Sequence, residues 1–348
     1  MTRRRQRPTL EEVAARAGVS RATASRVVNG SPSVDANLAD AVHRAVAELG
    51  YVPNRAARSL MTNRADTVAL VAAESTSRVF GDPFFAAIAR GASQELARGG
   101  LHMVLSMAQT DEDLVRVGAF LAGGHVDGAL VISEHDSHDV IGVATASGIP
   151  VVVGGRPLAR HPGVDFVDND NAEGGRLAAE HLRSRGCRRI GMVAGPQDMS
   201  AGVDRLSGFA AALGEHHDPD LVEEGDFTTT GGAAATARLL ARRPDVDGIF
   251  VANDLMALGA LSALRDAGRR VPADVAVVGF DDADVAAVAS PPLTTVRQLT
   301  AEQGRLMAQV LLTRLGHEVP DPMPELASSA GTPDGIVLPV RLVVRESA

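Results

Sequence analysis

The spacing of apolar residues along the chain changes near residue 65. Before it, apolar residues follow the period of an α-helix, as in Leu10, Val13, Ala14 and Ala17, which recur at i, i+3, i+4 and i+7. After it, short apolar runs rich in β-branched residues alternate with helical stretches. The pattern therefore predicts an all-α N-terminal head followed by an α/β core.

The head is predicted to contain three short helices. Thr9 and Glu12 have the spacing of a capping box before the first helix, and Ser20 can cap a second helix over residues 21–28. The third helix ends at Gly50. Two short helices joined by a glycine-containing turn fit a helix-turn-helix, a DNA-binding motif. The pattern leaves open a plain three-helix bundle with a solvated basic face.

The core is predicted to contain seven strands. Continuous apolar strands interleaved with helices are typical of parallel sheets that are covered on both faces. Because seven such units would be many for one sheet, we expect two doubly wound lobes. The predicted strands are Val68–Ala73, His102–Met107, Gly128–Ser133, Val151–Gly154, Arg189–Ala194, Gly248–Ala252 and Val275–Phe280.

Charge divides the chain at the same place. Residues 1–65 hold 11 arginines and five acidic residues, a net charge of +6, whereas the rest holds 23 arginines and 38 acidic residues, a net charge of −15. A cationic head on an acidic core is expected when only one module meets a polyanion such as DNA. A basic segment can also be a solvated tail, so charge alone does not decide the function.

Composition excludes several classes of protein. Apolar residues make up 45% and charged residues 22%, which is typical of a folded chain. Every basic residue other than histidine is an arginine, so neither a Walker-A lysine nor a lysine Schiff base is available. Cys187 is the only cysteine, which excludes an intrachain disulfide and a cysteine zinc site and fits a reducing cytoplasm.

Targeting and catalytic motifs are missing from the sequence. Polar residues follow MTRRRQRP where a signal peptide would be apolar, and no apolar run approaches the roughly 18–20 residues that span a bilayer. We therefore expect a cytoplasmic protein with no membrane partner. No hydrolase, zinc-protease or dinucleotide motif occurs, and His125, His135 and His138 match no standard zinc spacing. We expect no catalytic residue, no metal and no cofactor.

Polar residues follow several predicted strands, at the edge where parallel α/β sheets bind ligands. Asn253 and Asp281 each follow a strand, Glu134 follows a third, and Arg205 lies in the stretch after a fourth. A carboxylate, an amide and a guanidinium that converge with aromatic faces suit a polyhydroxylated ligand. Asn253 or Asp281 taken alone is more often a helix cap.

The chain contains, in this order, the stretches TLEEVAARAGVSRATASRVVNG, LGYVPNRAARSLMTNRADTVALV, GDPFF, VDGALVI, AGP, RLSGF, VAND, ALGAL, VAVVGFDD, PPLTTVRQ and LVVRES. They resemble the lactose-repressor (LacI) family of bacterial transcription factors over nearly the whole chain. The resemblance implies a helix-turn-helix head, a hinge helix and a core of two lobes like that of periplasmic binding proteins. It implies a homodimeric regulator, expected to be a repressor, that binds a near-palindromic operator.

The resemblance and the helix pattern together assign residues to DNA. Base contacts are expected from Arg21, Ala22 and Arg26 in the major groove, and from Ala57 and Leu60 in the central minor groove. Phosphate contacts are expected from Thr9, Ser20, Thr23, Ser25, Asn29 and Asn54.

The hinge contains a short helix-forming stretch after Pro53. Isolated helices of this length are marginal in water, so we expect the stretch to fold only when DNA and the partner subunit are both present. In the family, a leucine wedges between base steps here, and Leu60 occupies the matching position. Without DNA, a disordered linker is the expected state.

The resemblance also implies an effector cleft between the lobes. Met199 and Ala201 stand where purine-binding relatives have polar residues, which argues against a purine and favours a sugar or sugar derivative. The alternatives are a corepressor-dependent regulator or an activator that responds to another metabolite, and, more remotely, a solute-binding protein or enzyme fused to a DNA-binding head. The expected ligand contacts are Phe84, Phe85, Glu134, Arg205, Phe227, Asn253 and Asp281.

The resulting domains are the head at 1–50, the hinge at 51–65, a first lobe at 66–165 with 295–325, and a second lobe at 166–294 with 326–348. A Pro-, Ser- and Gly-rich stretch between residues 318 and 335 is longer than the family norm. We expect a solvated loop there.

Overall fold

The computed structural model describes residues 8–28, 34–51, 64–136, 138–159, 161–319 and 335–348. These fall into two compact units, which divide between Ala65 and Asp66. The first is an all-α head and the second is the α/β core, as the apolar pattern predicts.

The head consists of α1 (Leu10–Ala17), α2 (Arg21–Val28) and α3 (Ala36–Leu49). The predicted capping box is present: the Thr9 hydroxyl accepts a hydrogen bond from the Glu12 amide at 3.3 Å, and the Glu12 carboxylate accepts one from the Thr9 amide at 2.8 Å. The three helices enclose a small apolar core made of Val13, Ala14, Ala24, Val27, Val42 and Ala45.

The core contains two six-stranded sheets. The sheet of the first lobe is parallel throughout, in the order β11-β5-β4-β3-β1-β2; that of the second lobe has the order β12-β10-β9-β8-β6-β7, with β12 antiparallel. The strands of the first lobe are β1 (Thr67–Ala72), β2 (His102–Met107), β3 (Gly128–Ile132), β4 (Val151–Gly154), β5 (Asp165–Asn169) and β11 (Gly335–Leu338). Those of the second are β6 (Ile190–Ala194), β7 (Val222–Glu224), β8 (Gly248–Val251), β9 (Ala276–Asp281), β10 (Thr294–Arg297) and β12 (Arg341–Val343).

Helices pack against both sheets, and some approach so closely that only glycine fits. A Cβ atom at Gly91 would collide with the carbonyl oxygen of Ala301 on the neighbouring helix. The helices of the first lobe are α4 (Thr76–Gly81), α5 (Pro83–Arg98), α6 (Asp111–Ala122), α7 (Val140–Ala146) and α13 (Thr300–Arg314). Those of the second are α8 (Asn171–Ser184), α9 (Ser200–Leu213), α10 (Thr229–Arg242), α11 (Asp254–Asp266) and α12 (Asp284–Val288). No helix in the described ranges is long and apolar enough to cross a membrane.

The chain passes between the lobes later than the expected positions near 165, 295 and 325. β5 still belongs to the first sheet, β10 to the second and β11 to the first, so the described crossovers follow residues 169, 297 and 338. The assignment of 326–348 to the second lobe is therefore wrong for β11, which pairs with β5. The crossovers are hydrogen-bonded to one another: Asp170 N donates to Leu338 O and Leu299 N donates to the Asn169 side chain, both at 2.8 Å.

Candidate ligand cleft and nucleic-acid interface

A cleft of about 850 Å³, including space continuous with solvent, lies between the two lobes of the core. It opens at the carboxyl ends of the strands, where ligands bind in parallel α/β sheets. Phe85 is 3% exposed in the core of the first lobe and does not line the cleft; its ring meets that of Phe84 edge to face at 5.3 Å. The other expected ligand contacts all line it: Phe84, Glu134, Arg205, Phe227, Asn253 and Asp281.

Arg205 on α9 is the buried cation of the cleft. Its guanidinium lies 3.6 Å from the centroid of the Phe280 ring, and it donates to the side chain of Asn171 at 2.9 Å and to the carbonyl of Ala252 at 2.5 Å. Burial lowers the pKa of Arg205, whereas nearby carboxylates, with Asp281 foremost, raise it. The surrounding bonds fix the guanidinium plane against the floor of the cleft.

Asp281 ends β9 and lies 3.9 Å from the Arg205 guanidinium. It accepts a hydrogen bond from the Gln298 side chain at 2.6 Å, and burial raises the pKa of Asp281 well above its ordinary value. The backbone here is strained, because Asp281 and Asp282 have φ of 116° and 55°. Strained residues persist where the surrounding structure holds them, and they are frequent at ligand sites.

Asn253 caps α11. Its side-chain oxygen accepts from the amide of Met256 at 2.9 Å, and its side-chain nitrogen donates to the carbonyl of Phe227 at 3.1 Å. Phe227 itself has a left-handed backbone with φ of 61° and is 5% exposed. Asn253 thus holds both the start of a helix and the strained Phe227, and this is the helix-cap role that the sequence left open.

Arg78 on α4 lies over Phe227 from the opposite lobe. Its guanidinium is 5.1 Å from the centroid of that ring, donates to the carbonyl of Asp226 at 2.9 Å, and lies 3.2 Å from the Glu74 carboxylate. Sequence reasoning did not single out Arg78, because an arginine in a short helical stretch gives no indication of a partner 148 residues away.

Two further contacts join the lobes across the cleft. Arg156 donates two hydrogen bonds to the Asp204 carboxylate, at 3.1 and 2.7 Å. The ring of His135 lies between two carboxylates, with Nδ1 2.9 Å from Asp198 and Nε2 3.2 Å from Glu74. His135 matches no zinc pattern in the sequence, and in the structure it pairs with a carboxylate of each lobe.

Glu134 lies among other ionisable groups at the edge of the cleft. Burial, followed by the nearby carboxylates of Asp139 and Asp136, raises the pKa of Glu134 to about 7. Glu134, Asp139 and His161, all within the described residues, bring one potential ligand atom each within 4.8 Å of one another, a spacing that could hold a cation. Asp139 is already engaged, since its carboxylate caps α7 through the Gly142 amide at 2.6 Å.

In the head, α2 turns its predicted base-contacting side chains outward: Arg21, Ala22 and Arg26 are exposed. Ser20 caps the helix, with its hydroxyl accepting from the Thr23 amide at 3.1 Å. Thr9 is exposed beside α1, and Ser25 is half-buried. The expected DNA contacts at Asn29, Asn54, Ala57 and Leu60 lie outside the described residues.

Similarity to known proteins covers both units. Residues 9–54 match the bacterial regulatory proteins of the lacI family, and residues 179–348 match the periplasmic binding protein-like domain. The chain is 49% identical over 348 residues to the HTH-type transcriptional regulator CelR of Thermobifida fusca, covering 99% of each chain. It is 33% identical over 315 residues to the HTH-type transcriptional repressor PurR of Haemophilus influenzae (strain PittEE), covering 89% of this chain and 92% of the other.

Two solved structures share the fold. A CelR–cellobiose complex is 46% identical with a TM-score of 0.75, and it covers 98% of this chain and 100% of its own. A lac repressor dimer bound to operator and the anti-inducer ONPF is 30% identical with a TM-score of 0.83, covering 98% and 99%. The chain therefore belongs to the LacI family of bacterial regulatory proteins and is a ligand-responsive transcriptional regulator with a DNA-binding head.

Proposed function

We propose that the protein is a homodimeric repressor in the cytoplasm whose affinity for a near-palindromic operator changes when a carbohydrate binds between its lobes. It acts by binding and not by catalysis. The effector we favour is cellobiose or a closely similar disaccharide. The solved structure of a CelR–cellobiose complex, which covers 98% of this chain at 46% identity, supports this choice.

The observation that carries the proposal is the polar floor of the cleft. Arg205 and Asp281 are held by neighbouring protein groups at the carboxyl ends of strands, next to Phe84 and Phe227. Sugars present hydroxyl groups on a ring with apolar faces, so fixed donors and acceptors beside aromatic rings suit them. The cleft volume of about 850 Å³ is in the range of small-molecule sites.

In the proposed DNA complex, α2 of each subunit enters a major groove. Arg21, Ala22 and Arg26 read base edges, while Thr9, Ser20, Thr23 and Ser25 contact phosphates. The exposure of Arg21 and Arg26 supports this role. The hinge, with Asn54, Ala57 and Leu60, supplies the remaining contacts, and its helix forms on DNA.

Two measurements test the proposal. Selection from a random duplex library by the full chain should recover a near-palindromic site, since a dimer reads two half-sites. Fluorescence anisotropy with that site, with and without cellobiose, should then show a change of about 5- to 150-fold in operator affinity. Selection of an asymmetric site, or an affinity that no carbohydrate changes, would contradict the proposal.

The sign of the change separates the main function from its alternative. Release of the operator on sugar binding defines an inducer, whereas tighter binding defines a corepressor, the second function that the sequence left open. A panel of non-sugar metabolites in the same assay tests the remaining alternative. Incubating the protein with cellobiose and analysing the sugar by chromatography should show no turnover.

A further inference from the structure

We propose that the cleft selects a neutral, unphosphorylated sugar and rejects the phosphate ester or sugar acid built on the same ring. This inference rests on the proposed function and deepens it, because it concerns the chemical form in which a carbohydrate binds the same cleft. Three features support it. They are the charges of the residues that line the cleft, the protein groups that the arginines already bind, and the residues at the start of α9.

The described lining of the cleft is acidic. It holds six carboxyl groups and three guanidinium groups. A phosphate monoester adds a charge of about −1.5 to −2 at neutral pH. In a partly closed cleft this charge is repelled by those lining carboxyl groups that are ionised, and the low effective dielectric makes the repulsion stronger than in water. The carboxyl groups belong to Asp82, Glu134, Asp136, Asp168, Asp198 and Asp281.

The three arginines already bind protein groups. Arg205 donates to Asn171 and Ala252, and Arg156 donates twice to Asp204. Arg78 donates to the carbonyl of Asp226 and has Glu74 beside it. Its Nε atom is buried and has no described partner, so this N–H group can donate to a ligand oxygen. A phosphate would have to compete with the present partners.

Burial makes several of the lining carboxyl groups resist ionisation. Burial raises the pKa of Asp168 to about 6 and also raises the pKa of Asp82, and burial together with nearby carboxylates raises that of Glu134 to about 7. The cleft thus disfavours negative charge even on its own side chains. Neutral hydroxyl groups meet no such penalty, since each can donate to a carboxylate or accept from a guanidinium.

One feature of the cleft favours anions, and a carboxylate directly precedes it in the sequence. Met199 precedes α9 without a side-chain cap, and Ser200 and Ala201 in its first turn line the cleft. Helix starts of this kind can bind phosphate. Here, however, Asp198 directly precedes Met199 and brings a carboxylate to the same region, where it pairs with His135 at 2.9 Å. The amide groups of the first turn can also donate to the hydroxyl oxygens of a neutral sugar.

The selection places the effector in a reaction sequence. A neutral oligosaccharide is the product of glycoside hydrolysis, and it must reach the protein without phosphoryl transfer. A reaction that phosphorylates the sugar would remove the effector from the pool that the protein senses.

Calorimetric titration of the full chain tests the inference with matched pairs. Cellobiose is compared with 6-phosphocellobiose and with cellobionate, and other mono- and disaccharides are each compared with their own phosphate. We expect the neutral member to bind about 100-fold more tightly, since the charged member would bury an unpaired anion. A phosphate or acid that binds as tightly as its neutral partner overturns the inference but leaves the carbohydrate effector standing. If no sugar of either series binds, the proposed function fails and this inference fails with it.

Charge-neutral variants show whether the lining is the cause. In Glu134→Gln combined with Asp136→Asn, the preference for the neutral member should fall by about 10-fold. Glu215→Gln, at an exposed carboxylate away from the cleft lining, should leave the preference unchanged. An unchanged preference in the double variant would show that the lining charge does not select the effector.

Discussion

Arg156 and Asp204 join the two lobes of the core through a pair of parallel hydrogen bonds, with nitrogen–oxygen distances of 3.1 and 2.7 Å. Arg156 follows β4 of the first lobe, and Asp204 lies on α9 of the second. Two bonds between planar groups fix orientation as well as distance. The pair therefore stabilises the closed arrangement, in which the two lobes are hydrogen-bonded to each other across the cleft.

Removing this pair should make closure less favourable. Both side chains are partly exposed, so we expect Arg156→Gln to cost about 1 kcal/mol or less, which corresponds to a loss of about fivefold or less in effector affinity. Calorimetry with cellobiose measures the loss. Arg314→Gln is the matched control, because Arg314 donates a similar pair of hydrogen bonds to the Asp165 carboxylate within one lobe. Equal losses in both variants would contradict a role in closure.

Stability of the core should fall as the pH rises from about 5 to about 8. Folding raises the pKa of Glu134 and of Asp254 to about 7, and it also raises the pKa of His135 through hydrogen bonds to Glu74 and Asp198. Groups with a raised pKa bind protons more tightly in the folded state, so their contribution is present at low pH and is lost as each deprotonates. Melting temperatures across this range measure the effect.

Two variants identify the groups responsible. His135→Gln and Glu134→Gln should each reduce the slope of melting temperature against pH, and Glu215→Gln should not. A core that becomes more stable on passing from about pH 6 to about pH 8 would contradict the assignment.

Asn253 should matter for folding before it matters for binding. Asn253→Ala removes the cap of α11 and the bond to the Phe227 carbonyl, so we expect a loss of about 1–3 kcal/mol in the free energy of unfolding. Asn253→Asp keeps an oxygen for the Met256 amide and should lose less. Denaturant unfolding compares the two variants, and equal losses would show that the cap is unimportant.

Arg26 should contribute to base recognition. Arg26→Ala is expected to cost about 1–3 kcal/mol of operator affinity and to relax the preference at one base position in each half-site. Arg44→Ala, on the exposed side of α3, serves as the control. Anisotropy titrations against single-base operator variants distinguish the two arginines. Uniform weakening over all variants would instead assign Arg26 to phosphates.

The sequence predicted seven of the twelve described strands and missed five mostly short ones, which are β5, β7, β10, β11 and β12. All seven predicted strands are present to within one residue at each end, because each is a largely apolar run; six are buried, and β2 lies partly exposed at the edge of its sheet. β5, with the sequence DFVDN, and β10, with TTVR, escaped the prediction because their polar side chains find partners only in the folded protein. Thr295 in β10, for example, donates to Asp254 at 2.6 Å.

The cleft was predictable where polar residues directly follow apolar strands, as at Asn253 and Asp281. Its cross-lobe pairs were not, since Arg78 and Asp226 or His135 and Asp198 are brought together only by the packing of the two lobes. Phe84 and Phe85 are adjacent, and the sequence alone gave no reason why only the first should face the cleft.

The three described crossovers mean that neither lobe is encoded by one uninterrupted stretch of the gene. A chimera that exchanges one lobe with a relative therefore needs separate junctions near residues 170, 298 and 339, all made together. A single recombination event within the core would instead produce a lobe with strands from two parents, and the inherited pairs in each sheet would have to be compatible for the hybrid to fold.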